Sequence, residues 1–185
     1  MAIPWADVEE ALQAWVSTVT GIPVVWADQN ARAPEGDFIT MRLRGPRTVG
    51  VDAVATFYSE ARPPAEAIEY RSQAMRELTL TLNAYSKETN RTTSARVHLA
   101  KLQSALHMPS THARMRAAGL VLVDAGEVLN ISALAAADIE GRAVMDVRVR
   151  LTDTESEFTT FIEKATITPP AAWDGAEPLT VDLTE

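Results

Sequence analysis

The side chains with the most chemistry to offer are three histidines, His98, His107 and His112. A metal site needs two or three converging ligands, spaced i, i+3 or i+4 when they share a helix. His107 and His112 stand five apart across Pro109-Ser110, a helix opening, so the spacing predicts solvated or capping histidines and no metal site. The chain has no cysteine, which excludes disulfides, zinc-thiolate and iron-sulfur sites and thiol nucleophiles. No G-x-S-x-G elbow marks a nucleophile, and none of the 8 glycines fits a phosphate loop. Paired acids such as Glu9 with Glu10 and Asp153 with Glu155 fall on expected helix faces and turns, where solvated carboxylates are ordinary. The expectation is no catalytic residue, no cofactor and no metal. A small hydrolase is the enzymatic alternative, and a polar pocket joining His98 or His112 to an acid would favour it.

The arginines are more informative. Arg42, Arg44 and nearby Arg47 form one polar strand face, and Arg142, Arg148 and Arg150 form another. Guanidinium makes bidentate bonds to carboxylates and is the favoured charge at interfaces, so such rows suit contacts between copies. Pairing with acids of the same chain on an outer sheet face is an equal alternative.

The bulk numbers set limits. A length of 185 residues with 46% hydrophobic content suits one core. A net charge of -8 argues against gripping nucleic-acid phosphates. The first residues, MAIPWADVEE, lack the basic and apolar runs of a signal peptide, and no apolar stretch is long enough for a spanning helix, so a cytosolic chain is expected.

The elements that must position these residues read as follows. Trp5, Val8, Leu12, Trp15, Val16 and Val19 recur at helical spacing, with Pro4 at the start and Gly21 at the end. Ile22 to Trp26 reads as a short strand that leads into a loop, and Ile39, Met41 and Leu43 alternate with Thr40, Arg42 and Arg44. Gly45-Pro46 is expected to turn the chain. Val51 to Tyr58 and a strand from near Tyr70 through Leu82 predict a long hairpin with its tip at Ser59 to Ala67, including Arg62, Pro63 and Pro64. Helices follow from about Thr92 and from Pro109 to Gly119, then a strand over Leu120 to Val123. Val128 to Ala137 has no clean period and reads as irregular. Arg142 to Leu151 alternates as a strand, and Phe161, Ala165 and Ile167 repeat the pattern until Pro169-Pro170.

This order predicts an α+β fold: a mixed, mostly antiparallel sheet with an N-terminal helix and a central helix pair packed on one face, and a projecting β-hairpin. One domain over 1–170 is expected, followed by an extended acidic tail over 171–185. In that tail Leu179, Val181 and Leu183 alternate with polar residues. It can add as a strand to a neighbouring subunit, or fray as termini do.

Several segments together resemble a known family. They are W-V-x-x-V-T-G over Trp15 to Gly21, P-V-x-W-A-D-Q-N over Pro23 to Asn30, the strand Phe38 to Arg44, and G-P-R-x-V-G over Gly45 to Gly50. R-E-L-T-L-T-L-N-A-Y-S over Arg76 to Ser86, A-A-G-L-x-x-x-D-A-G over Ala117 to Gly126, and the strand Arg142 to Arg150 complete the set. The pattern is similar to the phage neck or tail terminator family and spans about residues 5 to 168, departing from it in the longer loop Ser59 to Ala67 and the acidic tail after Pro170. The resemblance implies a structural virion protein of the tail or neck, assembled in the host cytoplasm. It implies a homo-oligomer, a hexameric ring that caps the tail tube, ends its growth and meets the head-completion or connector proteins. In a contractile tail it also meets the sheath protein. DNA would pass through the lumen without specific binding. A head-completion ring protein is the alternative in the same class. The ring interface would draw on Arg42, Arg44, Arg47, Arg148, Arg150, Arg62, Pro63, Pro64, Leu179, Val181 and Leu183. For Trp26 two readings stand: a plug between helix and sheet, or a contact to a neighbour.

Overall fold

The computed structural model describes residues 3–29, 33–59, 62–63, 66–86, 95–131, 133–135, 138–159, 164–167 and 179–182. Helix α1 runs Trp5–Thr20, α2 Ala95–Ala105 and α3 Pro109–Ala117. The strands are β1 Val24–Trp26, β2 Phe38–Tyr58, β3 Ile68–Ser86, β4 Leu120–Ala125, β5 Leu129–Asn130, β6 Ala133–Ala135, β7 Asp138–Thr159, β8 Lys164–Ile167 and β9 Leu179–Asp182. Two compact units emerge, 1–52 with 74–153, and 53–73 with 154–185. Strands β2, β3 and β7 each pass from the first into the second.

In the first unit, α1 begins after Pro4 and ends at Gly21, whose left-handed backbone lets its N–H bond the Ser17 carbonyl. Its apolar stripe, Val8, Leu12, Trp15 and Val16, is buried. It packs against α2, α3 and β1. The main sheet has the order β1-β2-β3-β7-β4, with β5 and β6 also on β7. Strand β1 is parallel to β2, Val24 opposite Ile39 and Trp26 opposite Met41, while β4 is antiparallel to β7, Leu120 opposite Leu151. Side-chain partners across β3 and β7 run in opposite senses, Tyr85 with Arg142, Thr81 with Asp146 and Glu77 with Arg150, so this pair is antiparallel. The fold is α+β with a mostly antiparallel mixed sheet, as the alternating patterns predicted.

Alternation decides which face is covered. Ile39, Met41, Leu78, Leu80, Leu82, Met145, Val147 and Val149 are buried with Leu12, Trp15, Leu99, Leu102 and Met115 in one cluster. The intervening residues lie on the opposite, polar face. Trp26 is half-buried against this cluster and donates from Nε1 to Gln13 Oε1 at 3.2 Å, while Gln13 Nε2 donates to the Val24 carbonyl at 3.0 Å. It links α1 to β1, the plug reading.

Two stretches differ from expectation. The chain does not turn at Gly45-Pro46: β2 runs through it, with a cis peptide bond there. Strand β1 pairs with β2 only as far as Met41, so among the described strands Pro46 lies on an edge strand, where proline is tolerated. Within Val128 to Ala137, expected to be irregular, Leu129–Asn130 and Ala133–Ala135 form the short strands β5 and β6, Leu129 opposite Val144 and Ala133 opposite Glu140. The partner that extends these weakly patterned residues is β7, which is longer than its alternating stretch. The expected helix start at Thr92 and Phe161 lie outside the described residues.

In the second unit β2 and β3 form the expected hairpin, the Ser59 N–H bonding the Ala67 carbonyl at 2.9 Å. Strands β8 and β9 form a separate two-stranded antiparallel sheet, with Ala165 opposite Val181 and Ile167 opposite Leu179.

Candidate assembly surface

The polar face of the first unit's sheet carries the arginines singled out above, and β2, β3, β7 and β4 present them in adjoining rows. Arg44 bonds Asp146 at 3.0 Å and the Thr81 hydroxyl at 2.9 Å, and Thr81 donates to the other Asp146 oxygen at 2.6 Å. Arg148 meets Asp124 of β4 at 2.7 Å, and Arg42 meets Asp28, just beyond β1, at 2.6 Å. Glu77 is the centre of the ladder, accepting from Arg47 at 2.7 Å and from Arg150 at 2.9 Å with only 5% of its side chain exposed. Arg44, Arg47, Glu77, Asp124, Asp146 and Arg148 line a shallow open depression. Arg42, Arg44, Arg47, Arg148 and Arg150 therefore all pair with acids of their own chain. Most are half exposed, so each pair adds little stability by itself. Together they cover the sheet face with paired charge, five arginines meeting four acids because Glu77 serves two.

The arginines also set the titration of their partners. Hydrogen bonding from Arg150, then from Arg47, holds the Glu77 carboxyl below the usual glutamate value. Arg42 does the same for Asp28, and Arg148 for Asp124. A group with a lowered folded pKa stabilises the fold above its unfolded value and loses that contribution as pH falls through the folded one. Glu77→Gln is therefore expected to be less stable than wild type above about pH 4.5, with the gap closing as the pH falls below it. Urea unfolding of both proteins across pH 3 to 7, as a rough window from ordinary carboxylate values, measures this; a gap that widens in acid would refute it.

One cluster was not legible in the sequence. Arg76 of β3, 18% exposed, makes two bonds to Asp52, at 3.0 and 3.1 Å, and reaches Thr48 at 2.8 Å and Asp153 at 3.3 Å. It joins β2 to β7 across β3, and no local pattern marks it.

The histidines divide. His98 is not solvated or a cap: it is buried on α2, with Nε2 3.1 Å from Asp37. A buried ring needs a polar partner, and Asp37, just ahead of β2, supplies it. His107 and His112 line one small depression with Gln103 and Asp124. Asp124 is engaged by Arg148, and no hydroxyl nucleophile lines that depression. Among the described residues no three His, Asp or Glu side chains gather as a metal site would require. Among them, too, no helix is long and apolar enough to cross a membrane.

In the second unit, arginine stacks on aromatic rings. Arg71 lies over Phe57 with its guanidinium 4.8 Å from the ring centre, and Arg62 lies over Phe158 at 4.4 Å. Glu69 bonds Arg71 at 2.9 Å and the Ser156 hydroxyl at 2.9 Å, with Arg62 at 4.0 Å. Arg62 is thus tied within its own unit, and the Pro63 carbonyl accepts the Glu66 N–H at 2.8 Å. Pro64 and Leu183 lie outside the described residues. Leu179 and Val181 stand in β9, opposite Ile167 and Ala165.

The first unit thus presents an open sheet face of paired arginines and acids, and among the described residues no metal-binding set gathers. No curated protein matches the sequence. A family model described as phage neck terminator protein matches residues 6–171 of the 185, taking in both helix-covered sheet and hairpin. With nine-tenths of its length so matched, the chain belongs to the phage neck terminator family, whose members are structural components of the virion tail and neck.

Proposed function

We infer that this chain is the tail terminator of a tailed phage: identical copies close into a hexameric ring that caps the tail tube, ends its polymerisation and joins it to the head-completion or connector proteins. The family match over residues 6–171 carries this reading. The ring contacts use the outer arginines Arg42, Arg44, Arg47, Arg148 and Arg150, the hairpin tip with Arg62, Pro63 and Pro64, and the tail residues Leu179, Val181 and Leu183. A closed ring needs two different surfaces on each copy, and an open sheet with unlike edges offers them. The protein works by contact and not by catalysis. If the tail is contractile, the outside of the ring meets the last sheath ring.

Charge supports a passive channel. At -8 per copy a ring of six carries about -48, which repels DNA phosphates and lets the genome slide past. Particles made without this protein are expected to have tails of uncontrolled length, seen by electron microscopy. Headless tails of normal length would instead place the protein on the head side of the joint and refute the terminator reading.

A further inference from the structure

The helix layer of the first unit is charged unevenly. From Arg91 to Val123 the sequence holds five Lys or Arg residues and no acid, in a chain of net charge -8. Helix α1 has the opposite character, with Asp7, Glu9 and Glu10 and no Lys or Arg. On the sheet face, Arg42, Arg44, Arg47, Arg148 and Arg150 are all paired within the chain. On the helices, Arg96 and Lys101 of α2 and Glu9 of α1 are exposed, and among the described residues no ion pair engages them.

Beside exposed Lys101 runs a shallow apolar groove. Val19 from the end of α1 lines it with Val97, Ala100, Ala105 and Met108 from α2 and the turn after it. Met108 is 51% exposed. Small side chains next to an adaptable thioether leave room for an aromatic ring, and methionine sulfur makes favourable contacts with one.

The chain carries such a ring at the other end of α1. Trp5 heads the stripe that Val8, Leu12, Trp15 and Val16 continue, yet those four are buried and Trp5 is 40% exposed. Glu9, one turn further on, is its neighbour on the helix surface. Tryptophan is among the residues most enriched at interface hot spots. Trp5 and Val19 are separated by about 21 Å of one straight helix, so the ring and the groove of one chain stand apart.

We propose that the Trp5 end of α1 in one copy docks in the α1–α2 groove of the next, the ring lying among Val19, Val97, Ala105 and Met108 while Glu9 meets Lys101. Anchor and groove are different surfaces of the same chain, so the contact is heterologous and passes from copy to copy round a closed ring. It adds a helix-layer contact to the ring reading above and rests on that reading. The groove suits a protein partner better than a nucleic acid: it is apolar, and neither α2 nor α3 has an aromatic side chain on which a base could stack.

Three variants of the full chain test it, with self-association followed by native mass, alone and on tail tubes. Trp5→Ala is expected to weaken association at least about tenfold, the loss typical of an interface anchor. Glu9→Lys and Lys101→Glu each set like charges against one another and should weaken it at least about threefold. Mixed one to one, these two should regain wild-type association, since each then offers the charge that the other's opposite surface needs. A merely structural defect would not be cured by mixing, and failure to recover overturns the pairing. If all three variants assemble like wild type, the docking is refuted while the ring reading stands. Rings that persist in Trp5→Ala but no longer seat on tubes would make the tube protein the partner of Trp5, which also overturns this occupant. A DNA duplex bound by wild type and released by Lys101→Glu, with self-association unchanged, would make the cations a nucleic-acid site and refute the docking. A wild type that stays monomeric even on tubes refutes docking and ring together. Loss of fold in Trp5→Ala, checked by circular dichroism, leaves the decision to the mixed charge reversals, which alter exposed side chains alone.

Discussion

Leu80→Ala is expected to lower stability by about 2–5 kcal/mol, the usual cost of removing a buried leucine side chain and leaving a cavity. Leu80 is fully buried on β3, between β2 and β7, and its strand neighbours Leu78 and Leu82 are buried on the same face. The sheet beneath and the helix residues Leu12, Trp15, Leu99 and Leu102 in the same cluster leave little freedom to collapse into the space. For a chain of this size each kcal/mol lowers the melting temperature by about 2–4 °C. Urea unfolding with an unchanged slope measures the effect. Thr79→Ala, one residue away on the polar face, is the control and should cost less than about 1 kcal/mol. Equal losses at the two positions would mean that the helices do not cover this face.

Gly45→Ala is the second change expected to cost heavily. Gly45 has φ +112°, a region that L side chains rarely adopt. A Cβ there would lie 3.0 Å from the Glu77 carbonyl oxygen and 3.2 Å from a methyl carbon of Leu78. The first contact is with backbone of the central strand, which cannot give way without disturbing Leu78 in the core. Strain of this kind costs on the order of 1–3 kcal/mol, and the shift of β3 adds to it. The measurable signature is a lower melting temperature together with loss of the Glu77 pH dependence, because the displaced carbonyl is that of Glu77 itself. Gly21→Ala is the comparison: it has a positive φ of 73° but open space around its Cβ, so only the conformational cost should appear. A Gly45→Ala protein as stable as Gly21→Ala would refute the packing argument.

The arginine face illustrates how far residue type alone can go. Arg42, Arg44, Arg148 and Arg150 alternate with apolar residues, so their shared polar face was legible. Their partners were not. Asp146 with Thr81 lie 65 residues apart in the chain and Glu77 with Arg150 lie 73 apart, and register alone brings them together. The same holds for His98, whose burial depends on Asp37 arriving from a distant loop.

Local order was written plainly. The helical stripe from Val8 to Val16 between Pro4 and Gly21, the alternation of Leu78, Leu80 and Leu82, and the loop after Tyr58 each state their own conformation through period and turn residues. Family membership was legible for a related reason, since the matched segments are runs of this local kind. What only the tertiary structure decided is where edges and partners lie. Gly45-Pro46 reads as a turn until β3 offers a continuous partner, and Val128 to Ala137 has no pattern until β7 extends it. Period is set by neighbours in the chain, whereas pairing is set by neighbours in space, and an assembling protein uses the second to choose its partners.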